Sequence, residues 1–209
     1  MVAVHDASFN NLPGHKSQKG YWLGISTPEL MKDKTSLHHI HFVHWTSSKI
    51  QRVVRSTLSA EAYSCSEALD ALSWLRATIL EVLHGELDMR HYKDHLHRVP
   101  GVTVTDCCSL YDRMKSERLL LSDRRLSLEA AIIRQSLQEG IECRWVPSEQ
   151  QPADALTKAR RRKGLAYLND VLYSNRWTLG PDPRLPETSQ SRKLDIPCLL
   201  YTSPSPRDA

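Results

Sequence analysis

Four acidic residues are spaced along this chain in a way that suits the chemistry of divalent cations. Asp6 ends a short apolar run, and Asp106 ends the alternating stretch Val102-Thr103-Val104-Thr105. Glu61 lies early in a long helical pattern, and Asp154 opens the last one. Strand ends and helix starts can bring side chains together at one edge of an α/β sheet, and ligands gather at the carboxyl ends of its strands. Four carboxylates in one place repel each other and resist ionisation. A pair of divalent cations resolves this, and hard Mg²⁺ prefers carboxylate oxygen. Two such ions about 4 Å apart can hold the attacking water and the leaving oxygen of an in-line phosphodiester displacement. Each acid also has a structural reading. Asp106 could cap the helix that follows it, and Glu61 could serve the dipole of its own helix.

The elements that must position these acids can be read from periodicity. Residues 1–27 read as a hairpin, with Asn10-Asn11-Leu12-Pro13-Gly14 as its turn. Residues 40–46 have strand composition and make a third consecutive strand. Residues 56–85 are helical: Ala68, Leu72, Leu75, Ile79 and Val82 recur at spacings of 4, 3, 4 and 3, and Gly85 is a natural stop. The cap is Ser56, Thr57 or Ser59. The polar, His-rich residues 86–100 read as a loop. Val102 to Asp106 is the fourth strand, and a short helix follows. Residues 123–140 form a second amphipathic helix on Leu126, Ala130, Ile133 and Leu137, and residues 141–146 form a last strand. A final helix opens near Ala153. The order β-β-β-α-β-α-α-β-α predicts an α/β domain with a mixed five-stranded sheet, three strands in an antiparallel meander and two parallel, flanked by helices. Trp22, Trp45, Trp74 and Trp145 fall within these elements and read as core residues.

Bulk composition sets wide limits. The chain has 209 residues, of which 40% are hydrophobic and 25% charged, enough for one domain of about 150 residues with extensions. A net charge of +4 permits a polyanionic partner without demanding one. No apolar run approaches the roughly 18 residues that a membrane span needs. Residues 1–6 lack the basic and apolar regions of a signal peptide. Five cysteines without a CxxC suit a reducing, intracellular setting. The two His clusters, His38 to His44 and His91 to His97, could suit zinc at the His91/His95 spacing, but no Cys or carboxylate completes the pattern.

Several motifs resemble the ribonuclease H domain of copia-type retrotransposon polyproteins. Ser56-Thr57-Leu58-Ser59-Ala60-Glu61-Ala62-Tyr63 with Ser66-Glu67-Ala68 is similar to that family's SSTEAEY…SEA segment. Trp45-Thr46-Ser47-Ser48-Lys49-Ile50-Gln51 resembles the strand end before it, and Val104-Thr105-Asp106 with Ser109 its CDNxSA strand. Residues 145–158, ending Gln151-Pro152-Ala153-Asp154-Ala155-Leu156-Thr157-Lys158, are close to VPTxxQxADxLTK. Asp6, Ser17, Gln18 and Gly20 match the opening Asp and a later [KR]-S-x-x-G. The resemblance implies an RNase H-like fold over residues 1–165. It also implies hydrolysis of the RNA strand of RNA/DNA hybrids during reverse transcription, with Asp6, Glu61, Asp106 and Asp154 catalytic through two Mg²⁺ ions, for which Mn²⁺ can substitute. The partners it implies are the hybrid and the reverse transcriptase domain of the parent polyprotein, in a cytoplasmic particle or the nucleus.

This sequence departs from the pattern in places. Ser59 and Ala62 replace a Glu and a Tyr, and Cys107 replaces the Asn after the strand Asp. These changes leave open a catalytically inactive module that binds nucleic acid or a partner. Ser109, Gln151 and the basic residues Lys158, Arg160, Arg161 and Arg162 are the candidates for nucleic-acid contact, through phosphates in the basic run. Residues 166–197 read as a flexible extension. Residues 198–208 resemble a translated sequencing-library adapter, which would make Cys198 foreign to the natural protein.

Overall fold

The computed structural model describes residues 1–33, 35–85, 88, 90–116, 123–158 and 162–180. Strand β1 (Val2–Leu12) turns through Asn10, Gly14 and His15, all at positive φ, into β2 (Lys16–Ser26). The short helix α1 (Glu29–Lys32) leads to β3 (His38–Lys49). Helix α2 (Thr57–His84) starts at Ser56, whose side chain accepts from the Ser59 amide, and ends at Gly85. A one-turn helix α3 (Tyr92–His95) and a 3₁₀ turn precede β4 (Gly101–Thr105). Helices α4 (Cys108–Lys115) and α5 (Arg124–Gln138) follow, the latter capped by Asp123 through the Arg125 and Leu126 amides. The chain then forms β5 (Ile141–Trp145), α6 (Asp154–Thr157), α7 (Arg162–Ser174) and β6 (Arg176–Trp177).

The sheet order is β5-β4-β1-β2-β3-β6. The β1–β2 and β2–β3 pairs are antiparallel, whereas β1–β4 and β4–β5 are parallel. The sixth strand was not expected. It pairs His38 with Trp177 and His39 with Arg176, after a left-handed Asn175 turns the chain back. Only two residues carry it, too few for alternation to register.

Strand alternation sends the two faces of the sheet to different helices. Val2, Val4, Trp22, Val104 and Trp177 share one core with Tyr167 and Val171 of α7. Ala3, Tyr21 and Leu23 face Cys65, Ala68, Leu69 and Leu72 of α2, with Leu110 and Ile133. All five residues of β4 are buried, as expected of a parallel strand covered on both sides. Because α7 and β6 pack into this core, and Trp177 donates to the Tyr167 hydroxyl at 3.1 Å, the folded domain runs to Gly180 rather than stopping at residue 165. Residues 181–209, with the adapter-like stretch, lie outside the described residues.

Two expectations about the core are corrected. Trp45 and Trp74 are 70% and 59% exposed, whereas Trp22 is buried. Strand and helix positions alone do not say which face is covered. The stripe on α2 is likewise buried at Ala68 and Leu72 but open at Val82. A 28-residue helix is about 42 Å long, longer than the 11-residue strands β1 and β2 on which it packs, and its later turns leave the sheet.

At the N-terminal ends of β4 and β5, the buried Arg76 ties three loop carbonyls together. Its Nε donates to Val99 O at 2.7 Å, and its Nη2 donates to Leu96 O at 2.7 Å and Glu139 O at 2.6 Å. The Arg76→Met protein is expected to lose about 3 kcal/mol or more, since three buried carbonyls lose a charged donor. Urea unfolding should show this as a lower midpoint.

Candidate metal centre

Three of the four acids converge. Asp6 sits in β1 opposite Gly20, Glu61 is the fifth residue of α2, and Asp106 follows the last residue of β4. One carboxylate oxygen from each lies within 4.8 Å of the other two. Among the described residues no His or Cys joins such a group. The structural readings of Asp106 and Glu61 fall away. Cys107, not Asp106, stands at the start of α4, and Glu61 lies beyond the first turn of α2.

Each acid is held from behind. Asp6 is fully buried, with its backbone carbonyl accepting from Ser64 Oγ at 2.9 Å and its carboxylate from the Thr157 hydroxyl. Asp106 is more open; Ser148 Oγ donates to its Oδ2 at 2.7 Å, and Trp145 Nε1 to its carbonyl at 2.9 Å. Glu61 is 4% exposed, and its Oε2 is buried with no hydrogen-bond partner among the described residues. Together with Phe9, Cys107 and Lys158, these acids line an open cleft of about 300 Å³. A larger groove of about 710 Å³ beside α5, walled by Val53, Leu128 and Ile132, carries no converging carboxylates.

The fourth acid, Asp154, stands apart from this triad. It is buried at the start of α6, and Lys158 Nζ binds its Oδ1 while lying 3.4 Å from Asp6 Oδ1. Helix α6 reaches this position because the hairpin takes up its last carbonyls. Gln18 Nε2 and Ser47 Oγ donate to Leu156 O at 3.0 and 2.6 Å, and Asn11 Nδ2 donates to Thr157 O at 3.0 Å. Gly20 is required beneath it: a Cβ there would come within 2.6 Å of Leu156 Cβ.

The candidate nucleic-acid contacts divide differently. Ser109 is exposed, with its hydroxyl 3.3 Å from Cys107 Sγ. Gln151 is buried and donates to His5 O at 3.0 Å, so it braces β1 and offers no surface. Lys158 turns inward to the acids. Arg160 and Arg161 lie outside the described residues, and Arg162 begins α7. The roles of Thr157, Ser64 and Ser148 were not anticipated, although Thr157 stands inside the motif that located Asp154.

Electrostatics favour a cation at the triad. Burial raises the Asp6 carboxyl to about 7, with Asp106 and Asp154 adding to the rise and Lys158 and Thr157 opposing it. Burial, then Asp6 and Asp106, hold Glu61 well above the usual carboxylate range. The donors are all carboxylate oxygens, one of them orphaned, which fits a hard divalent ion such as Mg²⁺.

No protein-family model and no curated protein sequence matches the chain. Among solved structures, RNase H1 from the halophilic archaeon Halobacterium salinarum superposes with a TM-score of 0.50 at 16% identity, covering 81% of this chain and 97% of that one. The chain has an RNase H-like fold. LC11-RNase H1 in complex with an RNA/DNA hybrid gives a TM-score of 0.48 at 16% identity over 78% of this chain and 98% of that one. The N-terminal RNase H domain of a Mycobacterium tuberculosis protein, fused to maltose-binding protein, gives 0.47 at 14% over 83% and 96%. At such identities the likeness shows the fold and not the activity. The RNase H-like sheet here carries β6 as an additional strand on β3.

Because the Asp6 pKa is about 7 in the fold and near 3.8 in the unfolded chain, the fold gains stability from the proton at low pH and loses it as pH rises through about 7. Glu61 is raised in the same sense. A divalent ion removes this penalty, so Mg²⁺ should raise the unfolding temperature more at about pH 8 than at about pH 5. Thermal melts of the wild type and of Asp6→Asn check this. The variant should lose most of the pH-dependent gain, and an equal Mg²⁺ shift at both pH values would contradict it.

Proposed function

We propose that this chain is a divalent-ion-dependent ribonuclease H that hydrolyses the RNA strand of RNA/DNA hybrids. The observation that carries the reading is the convergence of Asp6, Glu61 and Asp106 within 4.8 Å at one edge of an RNase H-like sheet. Bound there, Mg²⁺, or Mn²⁺ in its place, supplies an activated water and charge stabilisation at phosphorus. The protein's part is to gather the carboxylates and aim them. Thr157 and Ser148 orient Asp6 and Asp106 from behind, and Ser64 fixes the backbone of β1. Burial of Asp6 and Glu61 keeps bulk water from competing for their oxygens. The more open Asp106 side of the cleft admits the substrate strand.

Ser109, at the start of α4 on that side, is assigned to the substrate, and the basic run Arg160, Arg161 and Arg162 to its phosphates. The motif resemblance further assigns the domain to a copia-type retrotransposon polyprotein. It would then act with a reverse transcriptase domain, in a cytoplasmic particle or the nucleus. No helix among the described residues is long and apolar enough to cross a membrane.

The test is incubation of the full chain with a labelled RNA/DNA hybrid, with Mg²⁺ or with chelator. Cutting of the RNA strand alone, dependent on Mg²⁺, is expected. Asp106→Asn should lower the rate by about a hundredfold or more while leaving the melting temperature near that of the wild type. Retention of the hybrid by a folded protein that never cuts it would instead identify an inactive binding module.

A further inference from the structure

A second ion would need Asp154, and the structure gives that carboxylate other work. Its Oδ1 is bound by Lys158 Nζ, and its Oδ2 lies against α7, where a Cβ on Gly164 would stand only 3.2 Å away. The side chain is 3% exposed. Mg²⁺ keeps several of its waters when protein-bound, so it needs open space beside each ligand. The space between Asp6 and Asp154 is instead filled by an ammonium that reaches both acids. Lys158 is also fixed at its base, because its amide donates to Asp154 O at 2.9 Å and closes the turn of α6. The triad can close on one ion with a small inward shift: oxygens bound at about 2.1 Å sit about 3 to 4.2 Å apart around it, and here they lie within 4.8 Å of one another.

We propose that Lys158 takes the place of one of the two divalent ions. A single ion is held by Asp6, Glu61 and Asp106, and the Lys158 ammonium bridges Asp6 to Asp154 as the second positive charge. This rests on the metal-dependent reading above and refines it, replacing the expectation of two ions by one ion and one ammonium. Lys158 is then a positioning residue: it holds Asp6 toward the ion and offsets the charge of Asp154. The basic residue nearest the acids thus serves the acids and not the phosphates.

The experiment counts Mn²⁺ bound per full-length chain, from loss of the free-ion EPR signal. It is run with and without a nuclease-resistant hybrid of 2′-O-methyl RNA and DNA. Wild type and Lys158→Arg, which keeps the charge, should bind one ion in both settings. Lys158→Gln should bind one ion alone and two with the hybrid, as Asp154 becomes available. Melting curves without ion establish that each variant is folded. Two ions bound by the wild type with hybrid, or only one bound by Lys158→Gln with hybrid, would overturn the role given to Lys158 and leave the hydrolase reading intact. No ion bound by any folded variant would overturn both.

Discussion

A carboxylate buried in the middle of a strand is the constraint from which much of this architecture follows. Asp6 has no exposed surface, and an unpaired charge there would cost several kcal/mol. The remedy comes from a distant part of the chain, where α6 presents Thr157 and Lys158. To deliver them, α6 must lie flat on the hairpin. That explains the small residue at Gly20 and the polar donors Gln18, Ser47 and Asn11 around it. The neighbouring Glu61 is left without a partner for one oxygen, so the protein repairs one buried charge and keeps another unsatisfied. Buried groups in this condition mark places where a ligand completes the chemistry.

The two ends of the sheet are organised by opposite charges. At the end where β4 and β5 begin, the Arg76 guanidinium satisfies three loop carbonyls. At the other, the carboxylates of Asp6, Glu61 and Asp106 converge. Helix α2 spans both, carrying Glu61 near its start and Arg76 in its later half. One rigid element therefore sets the distance between the end of the sheet built on a guanidinium and the end built on carboxylates. The alternation of β1 does the same across the sheet: Ala3 faces α2 while Val2 and Val4 face α7.

The sequence was most informative where chemistry and periodicity coincide. Asp106 could be picked out because it closes a strand of strong β-branched alternation, and Glu61 because it lies early in a long helical stripe. Asp6 was read as the end of a short apolar run, but β1 continues to Leu12 and leaves it in mid-strand. Strands β1 to β5 were legible as short apolar or β-branched runs bounded by turn residues. Strand β6 was not, since two residues have no period, and its stability comes from Trp177 packing on Trp22 and Tyr167. Gln151 and Lys158 were assigned to nucleic acid on residue type, but direction decides their work, and both point inward. The exposure of Trp45 and Trp74 was hidden for a similar reason. An aromatic residue in a regular element announces an interface, and the sequence does not name what covers it.

The separation of Asp6 from its partners also has a meaning in time. The hydrogen bond from Thr157 spans 151 residues, so β1 carries an acid whose counterpart is synthesised long after it. A nascent chain can pair β1 with β2 and β3 early, because those contacts are local. The hydroxyl and the ammonium behind Asp6 arrive only when α6 docks. The electrostatic surroundings of Asp6 are therefore complete only once α6 has been made and has docked on the hairpin.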